Sequence, residues 1–373
     1  MANINKKNLK IFIIAGEVSG DVLGAKIMHE MPGVKFVGIG GQNMIDAGLV
    51  PLFPISDLAV MGVFEVLGRA KTLTHRIKQT VNAIMDEKPD IVLTIDSPGF
   101  AKSVVKCVRK TGVLKTTKFY HVVAPQVWAW GAKRAGKYAK IFDKLYAFFD
   151  FEKPYFEQYG LPVVSVGHPI SDGLDKYKKH KNKQKIITFV PGSRMSEVKK
   201  LLPVFRKTMD MLIAQGYKDY KFVIPTVETT DEYIRNCVKN WVVKPDLVPS
   251  AKRYDLYANT YIAVVASGTV SAELAIMHIP TIVVYKMNPL TLLLAHILVR
   301  VKWVSLVNIL TNKTIFPELL GQNANPKNIT DWIHKLTRVS TRNKMIQDLK
   351  MADNQWSPSG KKSAKLIADD ILS

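Results

Sequence analysis

Short apolar runs rich in β-branched residues alternate along the chain with longer segments whose apolar residues recur every three or four positions. The runs are KIFIIAG (10–16), KFVGIG (35–40), DIVLTID (90–96), KFYHVVAP (118–125) and KLYAFF (144–149). Their length, composition and spacing predict βα units and a parallel sheet. A second series follows at PVVSVGH (162–168), KIITFVPG (185–192), YKFVIPT (220–226), YIAVVASG (261–268) and PTIVVYK (280–286), so the pattern restarts. The intervening SDGLDKYKKHKNKQK (171–185) is poor in apolar residues and dense in lysine. It reads as a connector, because few core contacts can form across it. The expectation is an α/β protein with domains at 1–168 and 169–349, followed by an amphipathic terminal helix in GKKSAKLIADDILS (360–373).

Length agrees with two cores: 373 residues at about 150 per domain gives a number near two. Charge adds a preference for anionic partners, since 53 Lys and Arg face 31 Asp and Glu, a net +22. Polynucleotides, anionic lipid and phosphorylated substrates all satisfy that preference. No helix-turn-helix, zinc-finger or RNP-type pattern accompanies it, so nucleic acid is not expected as a partner. The two cysteines, Cys107 and Cys237, encode neither a disulfide framework nor a structural zinc site, which fits a reducing cytoplasm. The apolar run at the N-terminus is too short for a signal peptide and reads as a first buried strand. LTLLLAHILVRVKWVSL (290–306) carries His296, Arg300 and Lys302 and is read as non-spanning, either a buried or a surface-docking helix.

Candidate chemistry gathers where predicted strands end. After the first run, Gly16, Glu17, Ser19, Gly20 and Asp21 form a glycine-rich strand-to-helix turn. Such a turn admits a ligand close to the backbone, and two carboxylates suit sugar hydroxyls better than phosphate. The turn is equally readable as a helix cap by Ser19 or Asp21. Asp96 closes a buried strand before Ser97-Pro98-Gly99 and is a candidate general base or a turn residue. VAPQVWAWGAKRAGKYAK pairs tryptophans with Lys133, Arg134, Lys137 and Lys140, a platform for a sugar phosphate or a packed aromatic hinge. In the second series Ser193 and Arg194 follow Pro191-Gly192, while Ser267, Gly268, Thr269 and Ser271 precede Glu273. Small residues and an arginine at two helix starts match a pyrophosphate, with Glu273 left for ribose hydroxyls. Together they predict a nucleotide-sugar site in the C-terminal half.

GEVSGD, IDSPGF, APQVWAWG, PGSR, ASGTVSAELA and WVSLVNIL occur in this order over nearly the whole chain. As an ordered set they resemble the lipid A disaccharide synthase family. The resemblance implies a GT-B fold, two Rossmann-like domains facing across a cleft, and inverting, metal-independent transfer without a cofactor. The implied donor is UDP-diacylglucosamine and the implied acceptor diacylglucosamine 1-phosphate, joined through a β-1,6 linkage. It further implies Asp96 as the base, Ser193, Arg194, Glu273 and Asn308 at the UDP site, and Glu17, Ser19 and Asp21 near the acceptor. By analogy with the fold, the terminal helix (350–373) returns to the first domain. Two departures stand out: Gly99-Phe100-Ala101 replaces an acidic-asparagine pattern seen in some members, and Val307 replaces a proline before Asn308.

Acylated substrates call for a lipid-facing surface. Met61, Val63, Phe64, Val66 and Leu67 are the candidate patch, with an ordinary core helix as the alternative. The expected setting is the inner face of the cytoplasmic membrane of a Gram-negative bacterium, peripherally bound to anionic lipid. The oligomeric state is left open, a homodimer included. The nearest rival, an undecaprenyl-linked N-acetylglucosaminyltransferase, has a GGxGGH-like first loop where this chain has GEVSGD. A basic surface-binding protein without catalysis is the rival from another class.

Overall fold

The computed structural model describes residues 9–58, 70–178, 184–286, 302–357 and 360–373. The stretch holding Met61, Val63, Phe64, Val66 and Leu67 lies outside them, as do 290–301 of the second apolar run and 179–183 of the lysine-rich connector. Among the described residues no helix is long and apolar enough to cross a membrane.

The chain divides into two compact units, Met1–Pro169 with Ser357–Ser373, and Ile170–Trp356. The first unit is built on β1 (Lys10–Ala15), β2 (Lys35–Ile39), β3 (Ile91–Ile95), β4 (Lys118–Val122), β5 (Lys144–Ala147) and β6 (Val163–Ser165). They form one parallel sheet in the order β2-β1-β3-β4-β5-β6. The central strands are apolar on both faces, as a sheet covered by helices on both sides requires. Phe12, Ile14 and Val92 pack with Ile84 and Val104 from the helices Ala70–Glu87 and Pro98–Thr111. Ile11, Ile13, Leu93 and Ile95 pack with Leu23 and Ile27 of the helix Val18–His29.

The same face receives Ala364, Ile367, Ala368 and Ile371 of the terminal helix Ser363–Leu372. Burying each isoleucine contributes about 1.5 to 3 kcal/mol. Polar contacts fix the register of this helix: Ser363 Oγ donates to the Gly167 carbonyl at 3.0 Å, while Lys144 Nζ and Tyr146 Oη each donate to Asp370 Oδ2 at 2.7 Å.

The second unit contains β7 (Ile186–Val190), β8 (Lys221–Thr226), β9 (Asp246–Pro249), β10 (Ile262–Ala266), β11 (Thr281–Tyr285) and β12 (Glu318–Leu320). Again all pairs are parallel, in the order β12-β11-β10-β7-β8-β9. Counted from β7 this is 3-2-1-4-5-6, the order of dinucleotide-binding sheets.

The α/β expectation of two parallel sheets holds, with two corrections to the strands. PVVSVGH, counted at the head of the second series, supplies β6, which pairs with β5 in the first sheet. β9 and β12 were not anticipated; one is a half-exposed DLVP and the other three residues long, too little for an apolar run to signal.

Each sheet reverses its direction of growth once. The chain steps from β1 out to β2 and then places β3 on the other side of β1. It steps from β7 to β8 and β9, then places β10 on the other side of β7. Loops leaving the carboxyl ends of strands diverge at such a switch point, and ligands of open parallel sheets gather there.

Candidate functional site

The switch point of the first sheet brings together the turns after β1 and β3. A Cβ on Gly16 would lie 2.3 Å from that of Ser97, so only glycine lets these turns meet. Asp96 (φ +54°) and Ser97 (φ +45°) are consecutive left-handed residues, a conformation that costs about 1 to 3 kcal/mol each and concentrates at functional sites. Two hydrogen bonds hold the strained turn. Asp96 N–H donates to the Val122 carbonyl at 3.0 Å, and Ser97 N–H donates to Asp96 Oδ1 at 2.8 Å.

Burial raises the Asp96 carboxyl above its ordinary range, with the Ser97 N–H opposing. Glu17 is raised as well, first by burial and then by the negative charge of Asp96. A partly buried carboxylate with raised proton affinity and one anchored oxygen is suited to accept a proton from a bound hydroxyl. Glu17 and Ser19 are exposed beside it.

Asp21 behaves otherwise. Its carboxylate is buried and accepts from the backbone N–H groups of Gly41 (2.7 Å), Asn43 (3.0 Å) and Met44 (3.1 Å) and from Asn43 Nδ2 (2.8 Å). It is a cap for the short helix Gln42–Asp46, with its acceptor capacity spent on the fold. The structure thus shows Asp21 holding the fold beside the turn expected to meet the acceptor. Gly20 is likewise a packing residue: a Cβ there would sit 3.3 Å from the Ile95 carbonyl oxygen.

Behind Asp96 lies a polar cluster that sequence reading missed. Thr94 Oγ1 and the His121 Nδ1 share a hydrogen bond of 2.7 Å, and the imidazole stacks on Phe142 at 4.9 Å. Burial pushes His121 down to about 3, so it is neutral. Tyr138 is pushed up to about 12 by burial, its hydroxyl feeling the charges of both Arg134 and Asp96.

At the switch point of the second sheet, the turns after β7 and β10 border a cavity of about 380 Å³. Gly192 (φ +97°) turns the chain after β7, where a Cβ would meet Glu197 Oε2 at 2.4 Å. Ser193 and Arg194 follow, and the helix Met195–Ala214 starts. After β10, Ser267 and Gly268 lead into the helix Thr269–Ile276. Ser193, Arg194, Ser267, Gly268, Thr269 and Glu273 all line the cavity. Helix starts leave N–H groups without intrahelical acceptors, and with Arg194, which donates to Glu197 Oε1 at 3.0 Å, they give the cavity donors suited to an anion. Arg194 also borders a smaller cavity of about 150 Å³ with Lys200 and Lys286.

Glu273 is buried at the cavity wall. Tyr254 Oη donates to its Oε1 at 2.8 Å, Arg253 Nη2 stands 3.8 Å from the same oxygen, and Oε2 has no hydrogen-bond partner. Burial raises its carboxyl, with Tyr254 and Arg253 opposing. A buried carboxylate oxygen without a partner is costly, and a ribose hydroxyl would satisfy it. Arg253, Tyr254 and the cavity-lining Tyr257 were not anticipated, because they follow the unrecognised β9 and carry no glycine or serine pattern of their own.

Two candidate donor residues serve the fold instead. Ser271 is buried, and its hydroxyl donates to the Gly268 carbonyl at 2.7 Å, tying the first helical turn. Asn308 is fully buried outside the cavity lining. Its Nδ2 donates to the Phe316 carbonyl (2.8 Å) and Glu318 Oε1 (2.9 Å), and its Oδ1 accepts from Ile315 N–H (2.8 Å) and Phe316 N–H (2.9 Å). All four hydrogen-bonding sites of the amide are used within the described fold, so the side chain holds this segment in place. Glu318 also accepts from the backbone and hydroxyl of Ser305, so the WVSLVNIL segment is a clamp organised by a carboxylate beyond its end.

Among the described residues no group of three or more His, Cys, Asp or Glu is placed to hold a metal ion.

Comparison with known proteins adds identity to this geometry. Residues 11–368 match the family described as Lipid-A-disaccharide synthetase. The lipid-A-disaccharide synthase of Rhodospirillum centenum is 41% identical over 345 residues, covering 88% of this chain and 85% of that protein. Among solved structures, MurG of Acinetobacter baumannii superposes with a TM-score of 0.59 at 12% identity, covering 98% of this chain and 99% of that one. The UDP-GlcNAc 2-epimerase of Neisseria meningitidis, solved bound to UDP-GlcNAc, gives 0.59 at 13% identity, with 98% and 99% covered. At such identities the likeness is one of fold.

Proposed function

The chain belongs to the lipid-A-disaccharide synthetase family and is a UDP-sugar glycosyltransferase of GT-B fold in lipid A synthesis, and on that premise we propose a division of labour between its two switch points. The second unit takes the UDP-diacylglucosamine donor. The first takes diacylglucosamine 1-phosphate and supplies the base. The observation that carries the reading is the 380 Å³ cavity, where two helix starts, Arg194, Arg253 and the unpartnered Glu273 oxygen combine donors for a pyrophosphate with an acceptor for a ribose hydroxyl.

In the proposed step the acceptor 6-hydroxyl gives its proton to Asp96 as its oxygen bonds to the donor's anomeric carbon. The bond from that carbon to the UDP oxygen breaks, and UDP departs with the electron pair. Attack opposite the leaving group inverts the anomeric centre and makes the β-1,6 linkage. Arg194 and the N–H groups after Gly192 and Gly268 stabilise the charge that builds on the diphosphate, an electrostatic contribution that belongs to the transition state. Glu17 and Ser19 orient the acceptor sugar. Both substrates carry acyl chains, and the net charge of +22 draws the protein to anionic lipid at the inner face of the cytoplasmic membrane.

UDP release from a defined acylated donor tests the reading. Release is expected only when the acylated sugar 1-phosphate is present; equal release with UDP-GlcNAc and an undecaprenyl-linked acceptor would contradict it.

A further inference from the structure

Next to the Asp96 turn is a motif that the proposed step leaves unused, the segment from Val123 to Arg134. It leaves the carboxyl end of β4 as Asp96 leaves that of β3, and the two are joined by the Asp96 N–H to Val122 carbonyl bond of 3.0 Å. Trp130 is exposed, at 54% of its surface. The Arg134 guanidinium lies over the Trp130 ring, 3.4 Å from its centroid, and its Nη2 donates to the Trp130 carbonyl at 2.9 Å. Gly131 (φ +68°) makes room for this arrangement, since a Cβ there would fall 2.9 Å from Arg134 Nε. That Nε is buried and has no hydrogen-bond partner, and among the described residues no carboxylate forms an ion pair with Arg134.

A guanidinium fixed flat against an aromatic ring loses little conformational freedom on binding and offers its N–H edge to a planar or tetrahedral oxyanion. A buried N–H left without an acceptor is costly until one arrives. Exposed indole beside it suits the apolar face of a sugar ring.

We propose that Arg134, braced by Trp130 and Gly131, is the binding site for the acceptor's anomeric phosphate monoester, which the sugar presents at the opposite end of the ring from its 6-hydroxyl. The assignment rests on the acceptor named above and extends it: Asp96 addresses one end of the ring and Arg134 the other. Selectivity for a sugar 1-phosphate over the unphosphorylated sugar then follows from a single residue.

Two readouts separate this site from the reaction. The first is equilibrium binding of glucosamine 1-phosphate and of glucosamine, followed by tryptophan fluorescence. Wild type is expected to prefer the phosphate by about 10- to 100-fold, a preference absent in Arg134→Ala and partly kept in Arg134→Lys, which retains charge without the fork. The second is turnover with acylated acceptors. Arg134→Ala should raise KM for the 1-phosphate acceptor by a similar factor, leave KM for the donor unchanged, and lose much less on an acceptor lacking the phosphate. Equal binding of glucosamine 1-phosphate by wild type and Arg134→Ala, or equal losses on both acceptors, overturns the assignment. Wild type that prefers glucosamine 1-phosphate through Arg134 yet releases no UDP from the acylated pair keeps the phosphate site and refutes the acceptor reading instead. Should Arg134→Ala not fold, Arg134→Lys alone decides: undiminished phosphate preference sinks the proposal.

Discussion

The turns after β1 and β3 and those after β7 and β10 occupy switch points in two parallel sheets, yet they carry opposite chemistry. One presents Asp96 in a strained turn, held by the Val122 carbonyl and its own carboxylate, with Glu17 beside it, both raised by burial. The other presents small residues, Arg194 and Arg253 around a cavity of about 380 Å³. On the proposed reading the fold sets where ligands sit, while the few residues after each strand decide whether the place accepts a proton or holds a diphosphate. Four changes would break or sharpen that contrast.

Of these four, the largest effect is expected from Arg194→Ala. Loss of a charged donor to the departing diphosphate should lower kcat by about 10²- to 10³-fold, measured as UDP release under saturating substrates. An unchanged kcat would remove Arg194 from the transition state. Next, Glu273→Gln keeps shape but weakens the acceptor for a ribose hydroxyl. UDP binding by calorimetry should weaken about tenfold.

Asn308→Ala serves as the counterexample. Stranding its backbone partners should cost about 2 to 4 kcal/mol in denaturant unfolding and leave the UDP dissociation constant of the folded protein unchanged. A selective loss of UDP affinity without loss of stability would restore Asn308 to the donor site.

The smallest effect concerns pH. The base acts when deprotonated, and burial raises the Asp96 carboxyl. Activity is therefore lost as pH falls through a value above the ordinary aspartate pKa of about 3.9. Glu17→Gln removes a neighbouring negative charge, so the acid limb of kcat/KM should move to lower pH. A limb that moves upward would show that the two carboxylates do not repel.

How much of this was legible in the sequence depended on whether a residue's partners are local. Gly16, Asp96, Gly192 and Gly268 are readable because a strand run followed by small residues before a helix fixes their place whatever the rest does. The fold partners of Asp21 and Asn308 were not legible, for the opposite reason. The carboxylate of Asp21 is used by residues 41–44, and the amide of Asn308 by Phe316 and Glu318, partners that spacing within a motif cannot reveal. Arg253 and Tyr254 escaped notice because tertiary contact alone brings them to Glu273. The ordered motifs identified the family better than they identified the work of each residue, since a motif such as WVSLVNIL here maintains a clamp.

The division between a proton-accepting turn and a diphosphate-holding pocket is tested most directly by measuring turnover and the UDP dissociation constant on one preparation of Asp96→Asn. Turnover should fall by about 10²- to 10⁴-fold while UDP binds within about twofold of wild type. Turnover near that of wild type, or UDP affinity lost in parallel with it, would contradict the assignment of the base to the first unit and the donor to the second.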